Sequence, residues 1–284
     1  MANCSIFENL VQRLASAGVS SPRLEARILI ANILNVDPNS VTSGICIPPQ
    51  SQKELENHVQ RRLNHEPIDK IIGLKSFYKY TFLTSSDVLS PRPETEILLE
   101  KAIKLAKQNG FENTLELGVG SGCVLLSLLR EISALKGVGV DVSKKALNVC
   151  KKNAEALGVE KRCKLVCKSW FDADFLSIFE HPFDLIVSNP PYIKTADIEK
   201  LEKEVWLFDP WVALDGGNDG LESYVQIAKL APHLLKNKGY LLLEIGCGQM
   251  QDVKKTFEKQ GLEYVTTLFD LAGIARVVVF SKEK

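Results

Sequence analysis

Asn189-Pro190-Pro191-Tyr192 combines an amide side chain, two prolines and an aromatic ring in four consecutive positions. The prolines fix the backbone and remove two N–H donors. What remains is a stiff loop that offers carbonyl oxygens, one side-chain amide and one flat ring. Such a set suits a planar amino group, either an amide or the exocyclic amine of a base. Taken alone, the same residues could be an Asn-Pro turn that ends a strand. A second candidate lies upstream, Glu116-Leu117-Gly118-Val119-Gly120-Ser121-Gly122. Its glycines permit a sharp turn and a close backbone approach to a ligand. The spacing is Gly-x-Gly-x-Gly, unlike the Gly-x-Gly-x-x-Gly of dinucleotide folds. Asp141 follows Gly118 at roughly the 20-residue offset from which an acid reaches ribose hydroxyls. Either Asp141 or Ser143 could instead cap the helix that begins near 144. Trp170, within Ser169-Trp170-Phe171, could lie against an adenine ring or simply belong to the core. The glycine turn carries no phosphate-binding lysine, which disfavours a nucleoside triphosphate.

The elements that would position these residues can be read from hydrophobic patterning. Phe183–Ser188 is an apolar run of the kind that forms a buried parallel strand. It puts Asn189 to Tyr192 at the carboxyl end of a strand, where open α/β sheets bind ligands. From Asn113 onward the pattern alternates strand and helix, which predicts a parallel α/β sheet. Strands are expected at 114–117, 136–140, 163–167, 183–188 and 239–245, with an antiparallel edge hairpin from 262–269 and 274–280. Helices are expected at 123–133, 143–157, 219–235 and 249–260, the third of them broken by Pro232. Asp141, Trp170 and Asn189 then follow the ends of successive strands, which argues for a bound adenosine beside an amine-binding loop.

The remainder is organised differently. Residues 3 to about 66 read as helices, punctuated by Pro22, Pro48-Pro49 and Pro67. Their expected apolar stripes are Ile6, Leu10, Leu14 and Ala17; Leu24, Ile28, Ala31 and Leu34; and Leu55, Val59 and Leu63. His58 and His65 are expected at the surface or its boundary. Phe77, Tyr78, Tyr80 and Phe82 predict a β-hairpin linker. Ser90-Pro91-Arg92-Pro93-Glu94-Thr95-Glu96 has the composition of a helix start. The division expected is a helical domain over 1–67, a hairpin linker over 68–89 and an α/β domain over 90–284.

Composition bounds the function. Thirty-five basic residues balance 35 acidic ones. That balance weighs against a chain that grips duplex nucleic acid by overall charge. No apolar run reaches transmembrane length, and the N-terminus resembles neither a signal nor a transit peptide. The seven cysteines are scattered and odd in number, so they read as reduced structural thiols, with no metal site and a cytoplasmic location expected.

In combination these motifs resemble the HemK/PrmC family, the release-factor glutamine N5-methyltransferases of the class I S-adenosylmethionine-dependent type. The matching segments are Pro91 to Glu96, Glu116 to Gly122, Asp141, Ser169 to Phe171, Asn189 to Tyr192, and Phe208-Asp209-Pro210 with Ala213-Leu214 and Gly216 to Gly220. Glu116 and Glu94 stand where the family commonly has Asp, and Val119 replaces a frequent Thr. The resemblance implies a Rossmann-like sheet with an N-terminal helical bundle that helps dock the release factor. It implies S-adenosylmethionine held by Glu116, Gly118, Val119, Gly120, Ser121, Gly122, Asp141, Trp170 and Asn189, with S-adenosylhomocysteine as the product. It implies that Asn189, Pro190, Pro191 and Tyr192 receive the glutamine of a Gly-Gly-Gln tripeptide, with Asn189, Pro190 and Tyr192 carrying the chemistry. The partner expected is a release factor, with no membrane and no direct nucleic-acid binding. An adenine N6-methyltransferase, which would apply the same loop to a flipped base, and a non-catalytic nucleotide-binding module are the alternatives.

Overall fold

The computed structural model describes residues 6–283; Cys4, one of the seven thiols, lies outside that range. The chain divides into two compact units, Met1–Leu74 with Glu202–Phe208, and Lys75–Leu201 with Asp209–Lys284.

The first unit is helical: α1 (Ile6–Ser16), α2 (Pro22–Leu34), α3 (Pro49–Leu63) and the short α4 (Ile68–Ile72). Pro22 and Pro49 occupy first-turn positions, where a missing N–H costs nothing. The helices bury Phe7, Leu10 and Leu14, then Ala26, Leu29, Ile30 and Ala31, then Leu55 and Val59. The expected stripes were right at Leu10, Leu14 and Ala31 but wrong at their first members: Ile6 and Leu24 are exposed, while Phe7 and Leu29 face the core. Ile28-Leu29-Ile30-Ala31 is apolar on every side, so periodicity alone offers two faces. His58 is also corrected: it is buried rather than at the surface, and burial lowers its pKa. Residues 68–72, expected in the hairpin linker, are helical and end on Gly73 in a left-handed cap.

The second unit opens with a hairpin, β1 (Leu74–Phe77) and β2 (Tyr80–Leu83), followed by α5 (Thr95–Asn109). Then come β3 (Asn113–Leu117), α6 (Cys123–Glu131), β4 (Lys136–Asp141), α7 (Lys144–Ala156), β5 (Cys163–Cys167) and β6 (Phe183–Ser188). One turn of helix, α8 (Lys203–Trp206), precedes α9 (Glu222–Leu234), β7 (Leu235–Glu244), α10 (Met250–Glu258), β8 (Glu263–Phe269) and β9 (Ala275–Ser281). The seven-stranded sheet has the order β5-β4-β3-β6-β7-β9-β8. Strands β3 to β7 run parallel, while β9 pairs antiparallel with both β7 and β8. The sheet is apolar on both faces. Leu185, Val187 and Leu242 pack with α5, α6 and α7, whereas Ile186, Leu241 and Leu243 pack with α9 and α10. That two-sided burial explains why the strands read as continuous apolar runs.

Two details differ from expectation. Helix α9 runs unbroken past Pro232, which sits in its last turn. The Pro232 and Leu235 carbonyls accept from Lys282 Nζ at 2.6 and 2.9 Å, which satisfies the frayed end. Strand β7 also begins at Leu235, earlier than expected: Leu235 already pairs with Phe183, and an irregularity then shifts the register before Tyr240 pairs with Leu185.

Segment α8 belongs to the first unit although its neighbours in sequence belong to the second. Arg62, only 5% exposed, donates to Glu25 and to Glu204 Oε1, the latter at 2.7 Å. Lys70 Nζ donates to the Phe208 carbonyl at 2.5 Å.

Candidate active site

Strand order reverses direction between β3 and β6, the place where such sheets open a crevice at their carboxyl ends. A cavity of about 270 Å³ lies there, lined by Gly118, Gly120, Asp141, Trp170, Asn189 and Pro191 among others. One cavity therefore gathers residues from the glycine turn, the β4 end, the segment after β5 and the β6 end.

The glycine turn is built on β3. Gly118 and Val119 N–H groups both donate to the Val140 carbonyl, and Gly122 N–H donates to the Val119 carbonyl at 2.7 Å. Gly118, Gly120 and Gly122 all have positive φ. At Gly122 the need for glycine is also steric, since a Cβ would stand 2.6 Å from Cys150 Sγ. Val119, Ser121, Gly122 and Glu116 are buried and do not line the cavity. Glu116 lies beneath the turn, where one carboxylate oxygen accepts from the Leu125 N–H of α6 at 2.8 Å. Burial pushes its carboxyl well above the usual range, opposed by the Leu125 hydrogen bond.

At the end of β4 the two possible helix caps separate. Ser143 caps α7 by accepting from Ala146 N–H. Asp141 accepts from Gly120 N–H on one oxygen and Ser143 N–H on the other, both at 2.9 Å. Each oxygen keeps a further lone pair, a pattern that suits a vicinal diol such as a ribose. Burial raises the Asp141 pKa, opposed by its backbone donors. Trp170 is half-buried beside Gly118, and among the described residues its Nε1–H has no acceptor. Glycine turn, diol acceptor and an aromatic with a spare donor together fit an adenosine-bearing group.

The loop after β6 rests on its own scaffold. Asn189 and Pro191 line the cavity, whereas Pro190 is buried and Tyr192 half-buried behind the wall. The Tyr192 carbonyl accepts from Gln249 Nε2 at 3.0 Å, and Ile193 exchanges backbone hydrogen bonds with Leu214 and Gly216. A Cβ at Gly220 would come within 2.5 Å of the Tyr192 carbonyl, so that close packing requires glycine. Burial raises the Tyr192 phenol to about 12, which leaves it neutral. Arg92 Nη2 binds Asp209 Oδ2 at 2.8 Å, tying the start of α5 to the segment that carries Pro210 at the cavity.

Sequence reading missed part of the site. Asp87, Leu89, Val212, Glu222 and Ser223 also line the cavity, as does Pro210 of the segment that the family resemblance had marked. It missed as well a buried network beside Asn189. Asn189 Nδ2 meets Thr95 Oγ1 at 3.4 Å, and the Thr95 hydroxyl donates to Glu244 Oε2 at 2.7 Å. The available signal was an acid ending the apolar run Leu241-Leu242-Leu243. Among the described residues no cluster suited to a metal ion occurs, and no helix is long and apolar enough to cross a membrane.

Sheet order and cavity together define a Rossmann-like methyltransferase, and comparison with known proteins agrees. Residues 80–205 match the Methyltransferase small domain, and residues 5–73 match the PrmC N-terminal domain. The hMettl16 catalytic domain superimposes with a TM-score of 0.58 at 14% identity, covering 83% of each chain. A ribosomal protein L11 methylase from Lactobacillus delbrueckii gives 0.52 at 15% identity, over 70% of this chain and 84% of that one. At those identities the likeness speaks for the fold alone. Sequence relatives are more specific. The chain is 40% identical over 269 residues to the release factor glutamine methyltransferase of Rhodospirillum rubrum, covering 94% of this chain and 81% of that protein. It is 37% identical to that of Caulobacter vibrioides, covering 94% and 92%. The chain belongs to the release factor glutamine methyltransferase family.

Proposed function

We propose that this protein transfers a methyl group from S-adenosylmethionine to the side-chain amide nitrogen of the glutamine in the Gly-Gly-Gln tripeptide of a peptide-chain release factor. The observation that carries the reading is the shared cavity: Asp141 and Asn189, from opposite sides of the sheet's reversal, line the same space. Gly118, Gly120, Asp141 and Trp170 would hold the cofactor, with Glu116, Val119, Ser121 and Gly122 shaping the turn from beneath. When bound, S-adenosylmethionine supplies an electrophilic methyl on a sulfonium.

An amide nitrogen is a weak nucleophile because its lone pair is delocalised into the carbonyl. The Asn189 side-chain oxygen and the Pro190 main-chain carbonyl accept its two N–H bonds. They hold the nitrogen in one orientation and stabilise the positive charge that builds on it, which is electrostatic preorganisation. Pro191 stiffens the loop, and Tyr192, behind the cavity wall, becomes a flat neutral surface for the amide only if its ring turns toward the cavity. No strong base is required, because an N-methylated cationic amide gives up its proton readily to water. Tyr192, held as the phenol, is unsuited to that role in any case. The helical N-terminal region (1–67) contributes to docking the release factor, through the linker at 68–89, while the α/β region (90–284) performs the transfer. A translation factor as substrate implies work in the cytoplasm.

Methyl transfer from labelled S-adenosylmethionine tests the reading. The acceptors are a bacterial release factor, the same factor with its Gly-Gly-Gln glutamine changed to alanine, and duplex DNA. Label on the intact factor alone is expected; label on DNA would move the chain to the adenine methyltransferases. Asn189→Ala should retain cofactor binding by calorimetry and lose at least about 100-fold in turnover, the scale set by one preorganised polar contact. Near-normal turnover would refute the role of Asn189.

A further inference from the structure

An asparagine can serve as acceptor for an incoming amide only if its oxygen, not its NH₂ group, faces that amide. The two ends of the side chain are nearly the same shape, so packing does not decide between them; hydrogen-bond partners do. The partners are on hand here. Thr95, 3% exposed at the start of α5, carries one hydroxyl proton. That proton is committed to Glu244 Oε2 at 2.7 Å. The Thr95 oxygen can then only accept from Asn189, and it meets Nδ2 at 3.4 Å. With the NH₂ end occupied, Oδ1 is the end left for the cavity that Asn189 lines.

We propose that Thr95 and Glu244 are positioning residues for Asn189: the Glu244 carboxylate sets the direction of the Thr95 hydroxyl, and that hydroxyl turns the Asn189 oxygen toward the acceptor amide. The inference rests on the reading of Asn189 given above.

The arrangement has a polarity that protonation reverses. Burial, the largest effect, raises the Glu244 carboxyl to about 7, and the Thr95 and Asn189 hydrogen bonds oppose it. The charged and titratable groups around it are Glu94 at the head of α5, Arg276 on β9, Tyr192 after β6, Tyr224 on α9 and Cys123 on α6. Glu94 adds to the rise and Arg276 opposes it. Tyr224 leaves the carboxylate free, since its hydroxyl donates to the Glu244 main-chain carbonyl at 2.9 Å. Once protonated, Glu244 becomes a donor to Thr95. The Thr95 proton then points at Asn189, which satisfies it by presenting Oδ1 and turning Nδ2 into the cavity. An NH₂ group would then face an NH₂ group, and binding in the reactive orientation fails.

The test uses the full chain with a release factor and labelled S-adenosylmethionine between pH 5.5 and 8.5. In the parent, kcat should fall as pH drops through about 7. Thr95→Val and Glu244→Gln should lower kcat about 10- to 100-fold at pH 8, the range expected for a hydrogen bond involving a charged group. Glu244→Gln should also lose the acidic limb, and Thr95→Ser, which keeps the hydroxyl, should restore both rate and limb. Cofactor affinity by calorimetry should be unchanged in all three. A readout independent of turnover is the Asn189 side-chain amide in ¹⁵N-asparagine-labelled protein, assigned by its loss in Asn189→Ala. Its shift should titrate near pH 7 in the parent and not in Glu244→Gln. Parent-like kcat and pH profiles in Thr95→Val and Glu244→Gln, with Asn189→Ala inactive, would overturn the positioning role and leave the site reading intact. An active Asn189→Ala would instead remove the site reading itself. Loss of kcat in step with loss of folding or cofactor affinity, without rescue by Thr95→Ser, would show a structural role and also overturn the proposal.

Discussion

Glu116 and Glu244 are the same residue type, equally buried at 3% exposure, and each stands toward the carboxyl end of a sheet strand. Their carboxyls nevertheless serve different kinds of partner. Glu116 accepts from a backbone N–H at the start of α6. It fastens the glycine turn, whose cavity-facing surface is main chain. Glu244 accepts from a side-chain hydroxyl that in turn touches another side chain. It reaches the cavity through Asn189, whose two ends must be told apart. The glycine turn thus presents main chain to the cavity, and Glu116 serves it only as an anchor. The Asn189 side is shaped by side chains and needs the charge of its acid. Glu116 has only to offer an acceptor oxygen to Leu125, whereas Glu244 must be ionised to direct the Thr95 hydroxyl.

This contrast can be broken in order of expected effect. Glu116→Ala should cost the most, on the order of 3 kcal/mol of unfolding free energy, because it leaves a cavity and an unpaired N–H in the core. Denaturant unfolding measures it, and a cost below about 1 kcal/mol would mean the turn does not depend on its anchor. Asp141→Ala removes groups at the cavity rather than beneath it. It should weaken S-adenosylmethionine binding about 100-fold, consistent with two hydrogen bonds to a charged acceptor. Calorimetry giving an unchanged affinity would sink the ribose assignment. Glu244→Gln should show the smallest effect on stability, and its sign should depend on pH. The folded state binds the Glu244 proton more tightly than the unfolded chain does. Its contribution is therefore full below the usual carboxylate range and is lost as pH rises to about 7. Glutamine has no such loss, so the stability of Glu244→Gln relative to the parent should improve steadily across that window. A pH-independent difference in melting temperature would contradict the raised carboxyl.

The sheet was largely legible in the sequence because its strands are buried on both faces and bounded by glycine, proline or charge. Phe183–Ser188 and Cys163–Cys167 were located to the residue. Helix phase in the first unit was less legible, since Ile28 to Ala31 offers no polar side by which to orient α2. Helix α4 is five residues long and α8 four, too short for any periodicity to appear. At the cavity, Asp141 and Asn189 were visible because loop chemistry and spacing marked them. Glu244 and Thr95 were not. An acid that ends an apolar strand looks like the strand's boundary, and a threonine among proline and acids looks like a helix start. Their significance lies in a contact across 149 residues of sequence that no local pattern encodes.

The segment Glu202–Phe208 has a consequence for anyone dissecting the chain. Because it is grouped with Met1–Leu74, the polypeptide passes between the two units at 74–75, at 201–202 and again at 208–209. An expression product trimmed to begin at residue 75 would deprive Glu204 of Arg62 and the Phe208 carbonyl of Lys70. Such a fragment would carry an orphaned stretch within its own sequence, a ready target for a protease. Deletion mapping would then score a damaged fragment, and a loss of activity on trimming would say little about which residues greet the substrate. Point substitutions on the faces of α1 to α3 are the cleaner instrument.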